Sequence, residues 1–354
     1  MAKKSSVWSD LKNKKEVSRE EYIKIVRRVR YFIVAGLAAS LAVFLGIALF
    51  GGIYKVSDII ASMNFYIYAI ALLLVFVSYI IRFAKWDYYL KKLGVRVPLK
   101  ENMMIYLSLY SMNITPGKIG RVVSAYTLSK ISGIKVAKIV PAVTMDIFTD
   151  FIGFAVFALL FSIYAHRFVI YILAADIVLL LPFVFVTHDW LYQKLKNAFK
   201  RFRRNQYFGL FSVYGDEYFS SQSDLNNFKT YAYSLLVTLP ADFLVGLALF
   251  ITLSSFGITA PIGATIFVYS SSQLFGMVSG LPGSIGVSDG TLVAMVGGVF
   301  NLNAMASSAA TIMTRVATLW LGVLIGSAFL FYTLKYWDLP EKSRRSRKKR
   351  QQTG

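Results

Sequence analysis

The sequence predicts an all-α, polytopic integral membrane protein. Three observations carry this: apolar runs of membrane-crossing length, basic residues confined to the segments beside them, and a Pro-Gly phrase that recurs in both halves within apolar sequence. Hydrophobic residues make up 56% of the 354 and charged residues only 16%, a balance suited to lipid rather than water. The longest polar stretch between apolar runs, His188 to Lys229, is shorter than a typical soluble domain. There is no cysteine, which excludes disulfides, thiolate chemistry and cysteine metal sites.

Residues 1–30 read as a cytoplasmic basic amphipathic segment. Tyr22, Ile25, Val26 and Val29 fall at helical spacing among Lys24, Arg27, Arg28 and Arg30, which predicts an interfacial helix. No small-residue cleavage site follows a short apolar core, so the first span is expected to be retained. Apolar runs near Tyr31 to Ile53, Phe65 to Ile81, Ile139 to Tyr164, Phe168 to Val186, Tyr231 to Phe256 and Ala309 to Leu334 approach the roughly 17–25 residues needed to cross. They give six full spans in a membrane domain over residues 31–334. An elbow loop at 188–230 carries an expected helix around Leu191, Leu195, Ala198 and Phe202. Residues 335–354 form a polybasic tail whose Arg344, Arg345, Arg347, Lys348, Lys349 and Arg350 suit anionic lipid heads or serve topology alone.

The net charge of +21 does not describe a nucleic-acid protein, because 36 of the 39 Lys and Arg residues fall in five blocks flanking the apolar runs. That pattern predicts a multi-pass cell-membrane protein with both termini cytoplasmic. The block from Arg82 to Lys100 is counted as cytoplasmic, and Arg315 is the one basic residue inside an apolar run.

Two further apolar regions do not fit as simple spans. Met103 to Thr115 is short, lies between basic blocks and ends at Pro116-Gly117-Lys118-Ile119-Gly120, so it is expected to dip in from the cytoplasm and return through Ile119 to Leu128. Ile262 to Phe300 is broken at Pro282-Gly283-Ser284-Ile285-Gly286 and has no basic residue at either edge, which suggests entry from the outer side. Proline and glycine interrupt helices, and lipid offers no partners for the freed backbone, so such breaks belong in protein or against a wet cavity. The pair predicts two oppositely oriented re-entrant helical hairpins, the arrangement of an inverted repeat. Ordinary kinked spanning pairs would leave the termini on the same side.

Ionisable residues within apolar runs are costly and so are the functional candidates: Asp146, Asp150, Asp176, Asp242, Asp289 and Arg315. Asp146 and Asp150 are four apart and share a helix face, suited to a cation, a proton or a basic partner. Asp289 and Arg315 form either a scaffold ion pair or, if separate, leave Arg315 free for phosphate. Asp176 and Asp242 have no evident partner. Helix starts after Gly117 and Gly283 would present amides to an anion, with Lys118 and Arg121 adding full charge. Polar side chains precede both breaks: Ser108, Ser111, Asn113 and Thr115, then Ser270, Ser271, Ser272, Gln273 and Ser279. They suit either a head group or the broken backbone itself. No cofactor and no metal site is expected, and His166 and His188 sit at opposite expected membrane edges.

The order Pro-Gly-Lys-Ile-Gly, Asp146 with Asp150, Leu-Pro-Gly-Ser-Ile-Gly-Val-Ser-Asp, then Thr314-Arg315-Val316 with Trp320 resembles the lysylphosphatidylglycerol synthase transmembrane (flippase-like) family from about Tyr31 to Tyr332. That family commonly shows PGxxGE, an acidic pair four apart, PGGxGxxE and an Arg followed by a Trp. The resemblance implies a flippase-like inverted-repeat fold and movement of lipids or lipid-linked precursors between leaflets. It nominates Pro116, Gly117, Gly120, Asp146, Asp150, Pro282, Gly283, Gly286, Asp289 and Arg315, to which the residue reading adds Asn113, Lys118, Arg121 and Gln273. Arg121 stands where the family often has Glu, which weakens a proton-linked role there and favours anion binding. Asp146 and Asp289 shorten two usual Glu residues. No counterpart of the soluble aminoacyl-transferring domain is found, so a stand-alone membrane domain is expected and lysine transfer by this chain is not.

The leading function is therefore transport of a phospholipid or polyprenyl-phosphate-linked head group. The alternative is an intramembrane subunit or enzyme of lipid head-group modification working with a separate soluble partner. Expected partners are anionic or phosphate-bearing membrane lipids, a second copy of the chain, or a soluble lipid-modifying enzyme, and not nucleic acid.

Overall fold

Five of the six expected spans are helices in the computed structural model, which describes residues 19–165, 194 and 217–337. The span expected at Phe168 to Val186, the elbow helix, Asp176 and the polybasic tail beyond residue 337 lie outside the described residues. Helix α1 covers Arg19–Gly51, so the basic amphipathic segment and the first span are one continuous helix rather than two elements. It ends where Gly52 takes φ of 84°, a conformation without cost only for glycine. A short α2, Ile53–Ala61, follows, and α3, Phe65–Lys92, is capped by Asn64, whose side chain accepts from the amides of Tyr66 and Ile67.

Helix α4, Leu99–Ser108, tightens into 3-10 turns at Leu109–Ile114 and Pro116–Arg121 before α5, Val122–Ser132. Helix α6, Val136–Leu160, and α7, Phe228–Ser255, carry internal prolines at Pro141 and Pro240. Helix α8, Ile262–Val278, is separated from α9, Val287–Phe300, by the second Pro-Gly turn at Pro282–Ser284. The last apolar run divides into α10, Ala304–Arg315, a π-helical turn at Val316–Trp320, and α11, Leu321–Trp337.

Helices α3 and α7 pack along one another, α6 and α8 flank them, and α10 receives α1, α2 and α9. Helix α11 lies against α4 and the Leu109–Ile114 turn. Close approach there depends on glycine: a β-carbon on Gly326 would collide with the backbone of Ser111, and one on Gly322 would lie 2.8 Å from the Tyr79 hydroxyl. Trp86, Tyr89, Tyr106, Phe151 and Phe267 are the largest aromatic side chains in the core. The outer faces are apolar instead of polar, with Leu41, Leu236, Leu324 and Phe331 all at least two-thirds exposed. A water-soluble fold would bury such residues; among the described residues six helical stretches, Pro282–Phe300 and Ala304–Thr333 included, are long and apolar enough to cross a bilayer.

Candidate functional site

The two Pro-Gly breaks, far apart in sequence, pack against each other in space. A β-carbon on Gly283 would lie 3.6 Å from the Ile114 Cα, so the turns meet at backbone distance. Their local geometry is partly shared. The third residue of each phrase is left-handed, Lys118 at φ 58° and Ser284 at φ 57°. The amide of the fifth residue is held by a nearby side chain in both: Gly120 N–H donates to Thr115 Oγ1 at 2.9 Å, and Gly286 N–H donates to Asp289 Oδ2 at 2.8 Å. At the second helix start one amide, that of Gly286, is therefore already held by a side chain. Asp289 already sits at the start of α9 and neutralises that end.

Behind the breaks lies a buried charge cluster. Arg82, on α3, bridges Asp150 of α6 and Asp242 of α7. Lys85, one turn later and fully buried, reaches Asp150 at 2.6 Å and Asp146 at 3.3 Å, and donates to Thr149 and Thr238. Arg121 leaves the first break to meet Asp146 at 2.8 Å through Nη1 and Asn113 at 2.8 Å through Nε. Arg82, Lys85 and Arg121 thus balance Asp146, Asp150 and Asp242, which is what allows six charges to remain out of water.

Asp289 and Arg315 are neighbours, Nε to Oδ1 at 2.6 Å, and the Arg315 Nη2 donates to the Gly283 carbonyl at 2.9 Å. Arg315 is therefore committed to an ion pair and to a carbonyl freed by the second break. The π turn begins directly after it, and two tyrosines of α3 serve the backbone there: Tyr68 donates to the Met313 carbonyl at 2.9 Å and Tyr79 to that of Thr318 at 3.0 Å.

A polar cavity of about 80 Å³ opens between these groups, lined by Arg82, Asn113, Lys118, Arg121, Asp150, Gln273, Gly283, Ser284 and Arg315. Lys118 differs from the other cations. No carboxylate lies within ion-pair distance of it among the described residues, so the groups lining and backing the cavity include one cation more than carboxylates: Arg82, Lys85, Lys118, Arg121 and Arg315 against Asp146, Asp150, Asp242 and Asp289.

A comparison with protein families matches residues 33–326 to the family described as the lysylphosphatidylglycerol synthase TM region. The chain belongs to that family. No curated protein matches it. Membership in the lysylphosphatidylglycerol synthase transmembrane family gives a multi-pass membrane protein with a role connected to membrane lipids.

Within this family member, the nominated residues converge. Asn113, Lys118, Arg121, Asp150, Gln273, Gly283 and Arg315 line one cavity, and Asp146 and Asp289 stand behind it as partners of Arg121 and Arg315. Gly120 is fixed by packing, since a β-carbon would meet Thr115 Cγ2 at 2.7 Å. Pro116 and Gly117 begin the first turn and Pro282 the second, with Gly286 at φ 89° just before α9. Several of the serines serve the backbone instead. Ser108, Ser111, Ser272 and Ser279 each donate to a carbonyl three residues earlier, whereas Gln273 donates to Ser288, and the Ser270 and Ser271 hydroxyls have no hydrogen-bond partner among the described residues.

Sequence reading missed Arg82 and Lys85, and with them the partner of Asp242. By position both fall in the basic block from Arg82 to Lys100, after the apolar run ending at Ile81. Helix α3 instead continues beyond Ile81 to Lys92 and carries Arg82 and Lys85 into the core. Their spacing of three, on the face shared with buried Tyr89, was the available signal.

Proposed function

We propose that this chain is a lipid flippase-like transporter that moves a phospholipid or polyprenyl-phosphate-linked head group between leaflets. The observation that carries the reading is the meeting of two Pro-Gly breaks at one polar cavity lined by a cation, Lys118, that has no carboxylate partner among the described residues. A phosphodiester carries one negative charge and would neutralise that cation. At 4 Å and an effective dielectric of about 20 the attraction is about 4 kcal/mol before desolvation. The cavity's 80 Å³ is less than a head group needs, so in this reading the cavity widens to admit one, and the two turns that line it are the elements that part.

In this reading α4–α5 and α8–α9 are re-entrant hairpins of opposite approach, the termini are cytoplasmic in a cell membrane, and the lipid tails stay in the bilayer while the head crosses. Arg82, Lys85, Asp146, Asp150 and Asp242 tie α3, α6 and α7 into a frame against which the hairpins part, and Arg121 of the first break supplies the cation that balances its third carboxylate.

Leaflet exchange of fluorescent phosphatidylglycerol, phosphatidylcholine and a polyprenyl phosphate in proteoliposomes tests this. Exchange of a phosphate-bearing lipid is expected to need the protein and to fall about tenfold or more in Lys118→Gln, the loss of one hydrogen bond to a charged group. Absence of exchange for every lipid, with copurification of a soluble lipid-modifying enzyme, would favour the subunit reading.

A further inference from the structure

We propose that an apolar groove between α1 and α9 holds an acyl chain of the lipid whose phosphate-bearing head reaches the Lys118 cavity; the inference rests on the lipid-transport reading above. Helices α1 and α9 both pack on α10 and leave between them a groove of about 540 Å³. Its walls are Gly46, Ile47 and Phe50 from α1, and Gly290, Val293 and Ala294 from α9. The α1 positions follow i, i+3, i+4, i+7 from Val43, so the groove follows that helix for about 10 Å. Glycine sets its width: a β-carbon on Gly46 or Gly290 would meet nothing within 4 Å. Phe50 is 70% exposed, so the groove opens onto the lipid-facing surface.

The position of its inner end identifies the occupant. Val43 lines the groove and also packs against Ile114, Ile285, Leu319 and Val323, the apolar cluster that joins the two breaks. Leu319 in turn lines the polar cavity together with Lys118. One apolar cluster therefore borders both the groove, through Val43, and the cavity of Lys118, which has no carboxylate partner among the described residues. A molecule that fits both is apolar at one end and anionic at the other, which describes a phospholipid. A helix from a second copy would fill the groove and leave the cation unanswered.

The test is native mass spectrometry of the full chain in detergent with added dioleoyl phosphatidylglycerol or dioleoyl phosphatidylcholine. Wild type is expected to retain the anionic lipid. Gly46→Leu with Gly290→Leu fills the groove and is expected to lower retention at least tenfold, while Leu41→Phe, on a 72% exposed position of α1 away from the groove, leaves it unchanged. Gly46→Ala with Gly290→Ala, which meets no neighbouring atom, is the folded intermediate and is expected to retain less than wild type. Equal retention by wild type and the leucine pair overturns the groove, and if Lys118→Gln still weakens retention the head-group reading stands without it. Retention lost in the leucine pair but indifferent to lipid charge and to Lys118→Gln upholds the groove and removes the head-group reading. A dimer that Gly290→Leu dissociates, with no lipid retained by wild type, overturns the proposal in favour of a second copy.

Discussion

Replacing Arg82 by methionine keeps the apolar stem of the side chain and removes the guanidinium whose charge bridges α6 to α7. The consequence differs for its two partners. Asp150 keeps Lys85 at 2.6 Å, whereas Asp242, fully buried, has no other ion-pair partner among the described residues, where its Oδ2 also lacks a hydrogen bond. Removing one member of a buried pair costs about 3–5 kcal/mol, because the remaining charge is left without compensation. Most of that cost is expected to come from Asp242. A double-mutant cycle isolates it: Arg82→Met alone should be strongly destabilising, and adding Asp242→Leu should recover part of the loss, with a coupling energy of about 1–3 kcal/mol. The assay is SDS-induced unfolding of the purified protein in mixed micelles. Arg82→Met within about 0.5 kcal/mol of wild type, or strict additivity of the two substitutions, would refute the idea that this bridge holds α3, α6 and α7 together.

Three further outcomes follow from the same geometry. Gly153→Ala places a β-carbon against the Asp242 carboxylate and within 2.7 Å of Thr238 Cγ2, and should destabilise by about 1–3 kcal/mol in the same unfolding assay. Arg315→Lys retains charge but loses the planar fork that serves Asp289 and the Gly283 carbonyl together, so stability should fall by at least about 1 kcal/mol, with lipid exchange lost before the fold. Gly286→Ala forces a side chain to φ 89° and should destabilise by about 1 kcal/mol or more, read as a lowered thermal midpoint.

Much of the architecture is legible in the sequence because hydropathy and helix breakers act locally. The runs that become α1, α3, α6 and α7 announce themselves by length, and Pro116-Gly117 and Pro282-Gly283 mark both breaks. The i, i+4 spacing of Asp146 and Asp150 also reports correctly that they share a face, since both meet Lys85. What is not legible is how charge closes across helices. Arg82 and Lys85 follow an apolar run, and a rule that assigns basic residues at run ends to the cytoplasm cannot distinguish a solvated end from a helix that continues into a packed core. Asp242 was without a partner for the same reason, its partner being 160 positions away in sequence. The paired state of Arg315 likewise depends on the tertiary meeting of α9 and α10, whereas the capping of α9 by Asp289 is local, three residues from Gly286.

The central claim is that the two breaks must separate for a head group to pass, and the chain's lack of cysteine makes it directly testable. Ile114→Cys with Ile285→Cys places a thiol on each side of the apolar cluster that joins the breaks. Proteoliposomes of this variant are oxidised to cross-link the pair, assayed for leaflet exchange of fluorescent phosphatidylglycerol, then reduced and assayed again. The account predicts exchange that stops on cross-linking and returns on reduction. Unchanged exchange with the cross-link complete would contradict it.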